Sequence, residues 1–147
     1  MDKITIPHVF QTDSIEVKKA LQDSNYLIES SNNDQKEKYC VIYFSSNNIY
    51  HPNSKESFEK TIIEKNHFEW YGTRIEKGYK HIFIRDIQKQ WYLNGINSEL
   101  NSIEKVLSFL NKETLGYKVI TLGSSSGGFA AVLFGSFLNA EKILTFN

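Results

Sequence analysis

Three consecutive serines boxed by glycines, in KVITLGSSSGGFAAVLFGSFL from Lys118 to Leu138, are the residues of this chain best suited by type and spacing to chemistry. Residues 123 to 127, GSSSG, fit the pattern G-x-S-x-G with Ser125 at its centre. In that pattern a sharp strand-to-helix turn holds the central serine in a strained conformation, and small neighbours let helix and strand come close. Ser125 would then project its hydroxyl above a sheet as a nucleophile. The backbone N–H of Ser126, at the start of the helix, would stabilise an oxyanion. The five letters alone are weak, because glycine and serine are common; the apolar run before them and the small-residue run after them give them weight. A phosphate loop is the competing reading. Its patterns G-x-x-x-x-G-K-[ST] and G-x-G-x-x-G are both missing, since no lysine follows Gly128 and Ser125 stands where a middle glycine belongs.

A second oxyanion donor comes from the loop after an earlier strand. In YCVIYFSSNNIYHPN the apolar run ends at Phe44 and opens into Ser45, Ser46, Asn47 and Asn48. The Ser46 N–H is the expected donor, with Ser45 or Asn47 as alternatives and Asn47 also placed to touch substrate. A third segment, KHIFIRDIQKQWYLNGI, puts Arg85 and Asp86 at another strand end, followed by Trp91 and Tyr92. Ligands of open α/β sheets bind beyond such ends. Arg85 and Asp86 would pair, bind substrate or anchor the loop, and Trp91 would stack on a sugar ring or pack under the loop.

A serine hydroxyl needs a base to take its proton. The four histidines, His8, His51, His67 and His81, all precede the motif, and only Glu141 is acidic after it. His51 is nearest a site loop. No His, Cys, Asp or Glu cluster has metal-ligand spacing, so no metal is expected. The single Cys40, inside an apolar run, reads as a core residue.

The elements that must position these groups follow from apolar patterning. Short runs rich in β-branched and aromatic residues predict strands at 26–29, 39–44, 81–85, 118–122 and 142–146. Their lack of polar alternation suits a sheet covered on both faces. The apolar residues Leu100, Ile103, Val106, Leu107 and Leu110 predict a helix over 98–110, with Ser98 as N-cap and Gly116 as a stop. A second helix is predicted over 126–138, with Phe129, Val132, Leu133, Phe134 and Phe137 covering most of its circumference and therefore buried. Strand and helix alternating from 81 to 146 indicate parallel crossover units. The polar stretch 29–38 reads as the turn of an antiparallel hairpin at the front. The fold class is thus α/β, a mostly parallel sheet with flanking helices and partly antiparallel N-terminal strands.

Bulk composition narrows the partners. The chain has 147 residues, one domain's worth, and such a length buries about 70% of the unfolded surface. Seventeen basic residues balance seventeen acidic ones, which gives no support for a nucleic-acid partner. No segment approaches the roughly 18 apolar residues of a membrane span, and the first residues do not form a secretory leader, so cytoplasmic residence is the expectation.

With these pieces in order, the chain resembles the α/β-hydrolase superfamily over nearly all of its length. More narrowly, FIRDIQKQWYLNG, GSSSGGFAAVLFG and KILTFN look like a group of bacterial proteins of capsule and surface-polysaccharide biosynthesis, which includes capsule O-acetyltransferases on a hydrolase fold. The resemblance implies a three-layer fold and Ser125 as the acyl-accepting nucleophile. The acyl group would pass to a sugar hydroxyl from a donor such as acetyl-CoA, a co-substrate rather than a bound cofactor, or to water in an esterase. A small molecule or a polysaccharide is the implied substrate. The superfamily's triad runs Ser, then Asp or Glu, then His, and here the last two are missing. Residues 1–147 are therefore expected to be a single incomplete domain, its C-terminal units absent, and inactive alone. The alternative implied by the same resemblance is a non-catalytic hydrolase-like scaffold, or a carbohydrate-binding partner in polysaccharide or accessory secretion assembly.

Overall fold

The computed structural model describes residues 6–31 and 37–147. Five strands form one sheet: β1 Tyr26–Ser30, β2 Tyr39–Phe44, β3 Gly78–Ile84, β4 Lys118–Ser124 and β5 Lys142–Phe146. Their spatial order is β1-β3-β2-β4-β5, with β1 antiparallel to β3 and every other pair parallel. All six residues of β2 are buried, which a strand achieves when it is paired on both sides and covered on both faces.

That burial explains a departure from the expected hairpin. β1 and β2 do not pair; β3 lies between them, and Tyr26 faces Ile84. The front strand is antiparallel as anticipated, but its partner comes from fifty residues later in the chain. Part of the expected turn, residues 32–36, lies outside the described residues.

Helix α4, Ile103–Glu113, and helix α5, Ser126–Phe137, lie on one face over Ile42, Phe44, Ile82 and Ile84. The opposite face, with Val41, Tyr43, Phe83 and Ile120, is covered by Phe68, Trp70 and Ile75 from the irregular segment 65–77. A third cluster joins the short helices α1 Phe10–Asp13, α2 Ile15–Ala20 and α3 Lys55–Phe58 to the loops that leave β2 and β3, through Val17, Tyr50, Phe58 and Ile87. Among the described residues no helix is long and apolar enough to cross a membrane.

Two helix expectations change. The first helix begins four residues late, capped by Ser102, whose Oγ accepts the Lys105 N–H at 3.1 Å. Ser98 instead donates to the Leu21 carbonyl, because Asn97 Oδ1 accepts the N–H groups of Glu99 and Leu100 and turns the chain before the helix starts. The second helix, expected over 126–138, spans Ser126–Phe137 but is not buried all round. Its inner face is Gly127, Ala130, Ala131, Phe134 and Gly135, small enough to settle onto β4, whereas Phe129, Val132 and Phe137 are exposed. The neighbouring strand β5 is exposed along its whole length.

Candidate active site

The parallel register places the ends of four strands at one edge: Ile84 opposite Phe44, Phe44 opposite Gly123, and Ser124 opposite Phe146. Ser125 is the single residue between β4 and α5, with φ 53° and ψ −120°. That conformation is strained for any residue with a Cβ, and it persists where surrounding packing over-determines it. The packing here is specific. A Cβ on Gly127 would collide with the carbonyl oxygens of Phe44 and Ser45, and one on Gly123 would collide with the Gly127 carbonyl. Helix and strands therefore close on each other through glycine, and the chain between them has no slack. The Ser125 N–H donates to the Phe146 carbonyl at 3.1 Å, and its carbonyl accepts the Phe129 N–H at 3.0 Å. The side chain projects into solvent from the turn.

Ser126, the first residue of α5, is buried, and its N–H precedes the first intrahelical bond. Its hydroxyl donates to Asn47 Oδ1 at 3.1 Å, tying the elbow to the loop after β2. That loop carries the expected second donor, Ser46, and here the structure adds a group the sequence did not mark. The Glu69 carboxylate accepts both the Ser46 N–H, at 3.1 Å, and the Ser46 hydroxyl, at 2.7 Å. Of the two alternatives, the Ser45 N–H is spent on the Ile84 carbonyl at 2.9 Å, while the Asn47 N–H has no acceptor among the described residues. Glu69 lies on the segment that crosses the strand ends: His67 next to Arg85, Glu69 on Ser46, and Trp70 against Phe146 with ring centroids 5.3 Å apart. Nothing in local spacing picks out an acid in HFEWYG; only the path of this segment over the sheet edge gives it a role.

Arg85 and Asp86 do not pair. Successive residues leaving a strand point to opposite faces, and each serves a different layer. Asp86 is buried and anchors the following loop, accepting the N–H groups of Gln88, Gln90 and Tyr92 at 3.0, 2.9 and 2.9 Å. Burial pushes its carboxyl above the usual range, against the pull of those backbone donors. Arg85 turns to the other face, where Nε donates to Asn25 Oδ1 and Nη1 to the His67 carbonyl. The loop anchored by Asp86 carries left-handed backbone at Lys89, Trp91, Tyr92 and Gly95. Tyr92 is buried and donates its hydroxyl to the Ser45 carbonyl at 2.8 Å, which leaves Trp91 42% exposed. The Trp91 ring stands edge-on to Phe129, centroids 5.6 Å apart, and Phe129 is one helical turn beyond Ser125. Trp91 and the serine turn thus share one surface.

No described histidine is hydrogen-bonded to Ser125. His81 is buried in β3, not at its start, with one ring nitrogen on Ser31 Oγ and the other on the Tyr43 hydroxyl, both at 2.8 Å. Burial lowers its pKa, so it sits as a neutral core imidazole. His51 and His67 are exposed on loops. Among the described residues no three His, Cys, Asp or Glu side chains converge as metal ligands. Cys40 is fully buried and its thiol is pushed up to about 12 by burial, which suits an inert core residue.

No family model, curated protein or solved structure matches this chain.

Proposed function

We propose that Ser125 is an acyl-accepting nucleophile, serving acyl transfer or ester hydrolysis on a polysaccharide-related substrate. The observation that carries this reading is the backbone of Ser125: a non-glycine residue at φ 53° and ψ −120°, alone between strand and helix, hydroxyl outward. A plain glycine-serine loop has no reason to hold strain of order 1–3 kcal/mol at that one residue. The mostly parallel sheet, with the serine turn on an inner strand, fits the α/β-hydrolase superfamily that the sequence resembles. In this mechanism the Ser125 oxygen attacks the ester carbonyl and loses its proton to a base. The oxyanion is met by the Ser126 N–H and by a second N–H from Ser46 or Asn47. The acyl group then leaves to a sugar hydroxyl or to water. Acetyl-CoA would be the donor in the transferase form. Trp91 offers an aromatic face for a sugar ring next to the reacting serine.

Two elements are not assembled among the described residues. The base is proposed to come from outside them, and Ser46 becomes a donor only when Glu69 withdraws. The same two facts favour the second reading, a non-catalytic scaffold or carbohydrate-binding partner that keeps the elbow without its chemistry. Turnover of p-nitrophenyl acetate with imidazole supplied in solution separates the two. The nucleophile reading expects a protein-dependent rate above the imidazole blank that Ser125→Ala removes. Equal rates for wild type and Ser125→Ala would favour the scaffold.

A further inference from the structure

Arg85 presents a separate problem. It is 3% exposed, yet among the described residues no carboxylate lies within ion-pair distance of its guanidinium. Its two protein acceptors are neutral, Asn25 Oδ1 at 3.0 Å and the His67 carbonyl at 2.9 Å, and its plane lies 4.4 Å over the Phe68 ring. Burying a cation without a counter-charge costs several kcal/mol, and a neutral side chain could tie the same two acceptors for less. Burial draws the guanidinium down to about 10, so it stays charged near neutrality.

Among the described residues the second terminal nitrogen, Nη2, has no protein acceptor. Among the same residues Trp70 Nε1 is the one fully buried side-chain nitrogen or oxygen without a partner, so Nη2 keeps some solvent access, and Arg85 lines a cavity. That cavity, about 240 Å³, lies between the start of β1 and the segment 62–68, lined by Asp23, Ser24, Asn66 and Phe68 together with Arg85. It is on the β1 side of β3, away from β4 and its serine turn. The guanidinium hydrogens left over, on Nη2 and Nη1, would together make the fork that matches a carboxylate. The exposed Asp23 at the rim is the nearby anion that helps hold Arg85 charged, and it disfavours a ligand with a second negative charge.

We propose that this cavity is a binding site for a small carboxylate, gripped end-on by Arg85. The site stands independently of Ser125. The test is an amide NMR titration at pH 7 and fixed ionic strength with sodium acetate. Saturable shifts are expected at residues 23–26 and 62–68. Asp23→Asn, an exposed change that leaves the fold intact, is expected to tighten acetate about threefold by removing a nearby repulsive charge. Arg85→Gln should abolish the saturable shifts, and Arg85→Lys, which keeps the charge but not the fork, should weaken binding at least about tenfold. Inorganic phosphate should bind the wild type more weakly than acetate, with the gap narrowing in Asp23→Asn. Shifts that stay linear in acetate, an unchanged affinity in Asp23→Asn, or phosphate binding tighter than acetate would each overturn the proposal.

Discussion

The serine turn and the loop from Asp86 to Gly95 both hold backbone where side chains are strained, but they hold it in opposite ways. In the loop, polar groups fix the conformation: the Asp86 carboxylate collects three backbone N–H groups, Tyr92 reaches Ser45, and Lys89 Nζ donates to the Tyr50 carbonyl at 2.6 Å and to Asn53. In the turn, steric closure at Gly123 and Gly127 fixes the backbone, and the Ser125 hydroxyl takes no part. A strained segment fixed by its own polar groups spends those groups on the fold. One that leaves a hydroxyl free at a sheet edge is where reactivity is to be sought.

Gly127→Ala attacks the closure and carries the largest expected effect. Its Cβ meets two backbone carbonyl oxygens that cannot move without parting α5 from β2, so a loss of about 3 kcal/mol is expected, read as a lower urea midpoint. Asp86→Ala attacks the polar frame. Three backbone N–H groups, one buried and two half-buried, lose their acceptor, for a cost of about 2 kcal/mol, and the exposed Trp91 loses its fixed position. If Gly127→Ala proves the milder of the two, the contrast between steric and polar support fails.

Ser125→Gly is expected to go the other way. Glycine adopts positive φ without strain, so the variant should gain about 1 kcal/mol in urea unfolding while losing any serine chemistry. A loss of stability would mean the Ser125 side chain supports the fold after all. A separate, pH-dependent effect concerns Lys89, whose amine burial pulls down to about 8 from 10.5. Between those values the unfolded chain binds more protons than the folded one, so stability should rise with pH from about 8 toward 10.5. Lys89→Met should lack that part of the rise, measured as the difference between the two unfolding curves across pH.

Much of this was legible in the residues themselves. The bounds of β2 and β5 coincide with their apolar runs: in β2 a strand buried on both faces announces itself as unbroken β-branched and aromatic sequence, and β5 carries the same kind of run although it is exposed. The serine turn was legible because its glycines are demanded by backbone contact. Strand order was not: the choice of β3 over β2 as the partner of β1 is a non-local pairing that no local pattern encodes. Nor was the start of α4, where two serines stand four residues apart and Asn97 decides between them. Arg85 and Asp86, adjacent in sequence, read as one site; pleating divides them between two layers. Glu69 was invisible because its role comes from where the segment 65–77 passes.

The central claim is that Ser125, among three neighbouring serines, carries the reactive hydroxyl. Peptide mapping after treatment with p-nitrophenyl acetate and imidazole tests it most directly. The account predicts an acetyl adduct on Ser125 and not on Ser124 or Ser126, at higher yield in Glu69→Ala, where the Ser46 N–H is released. Adducts spread evenly over the three serines, or none on Ser125, would contradict it.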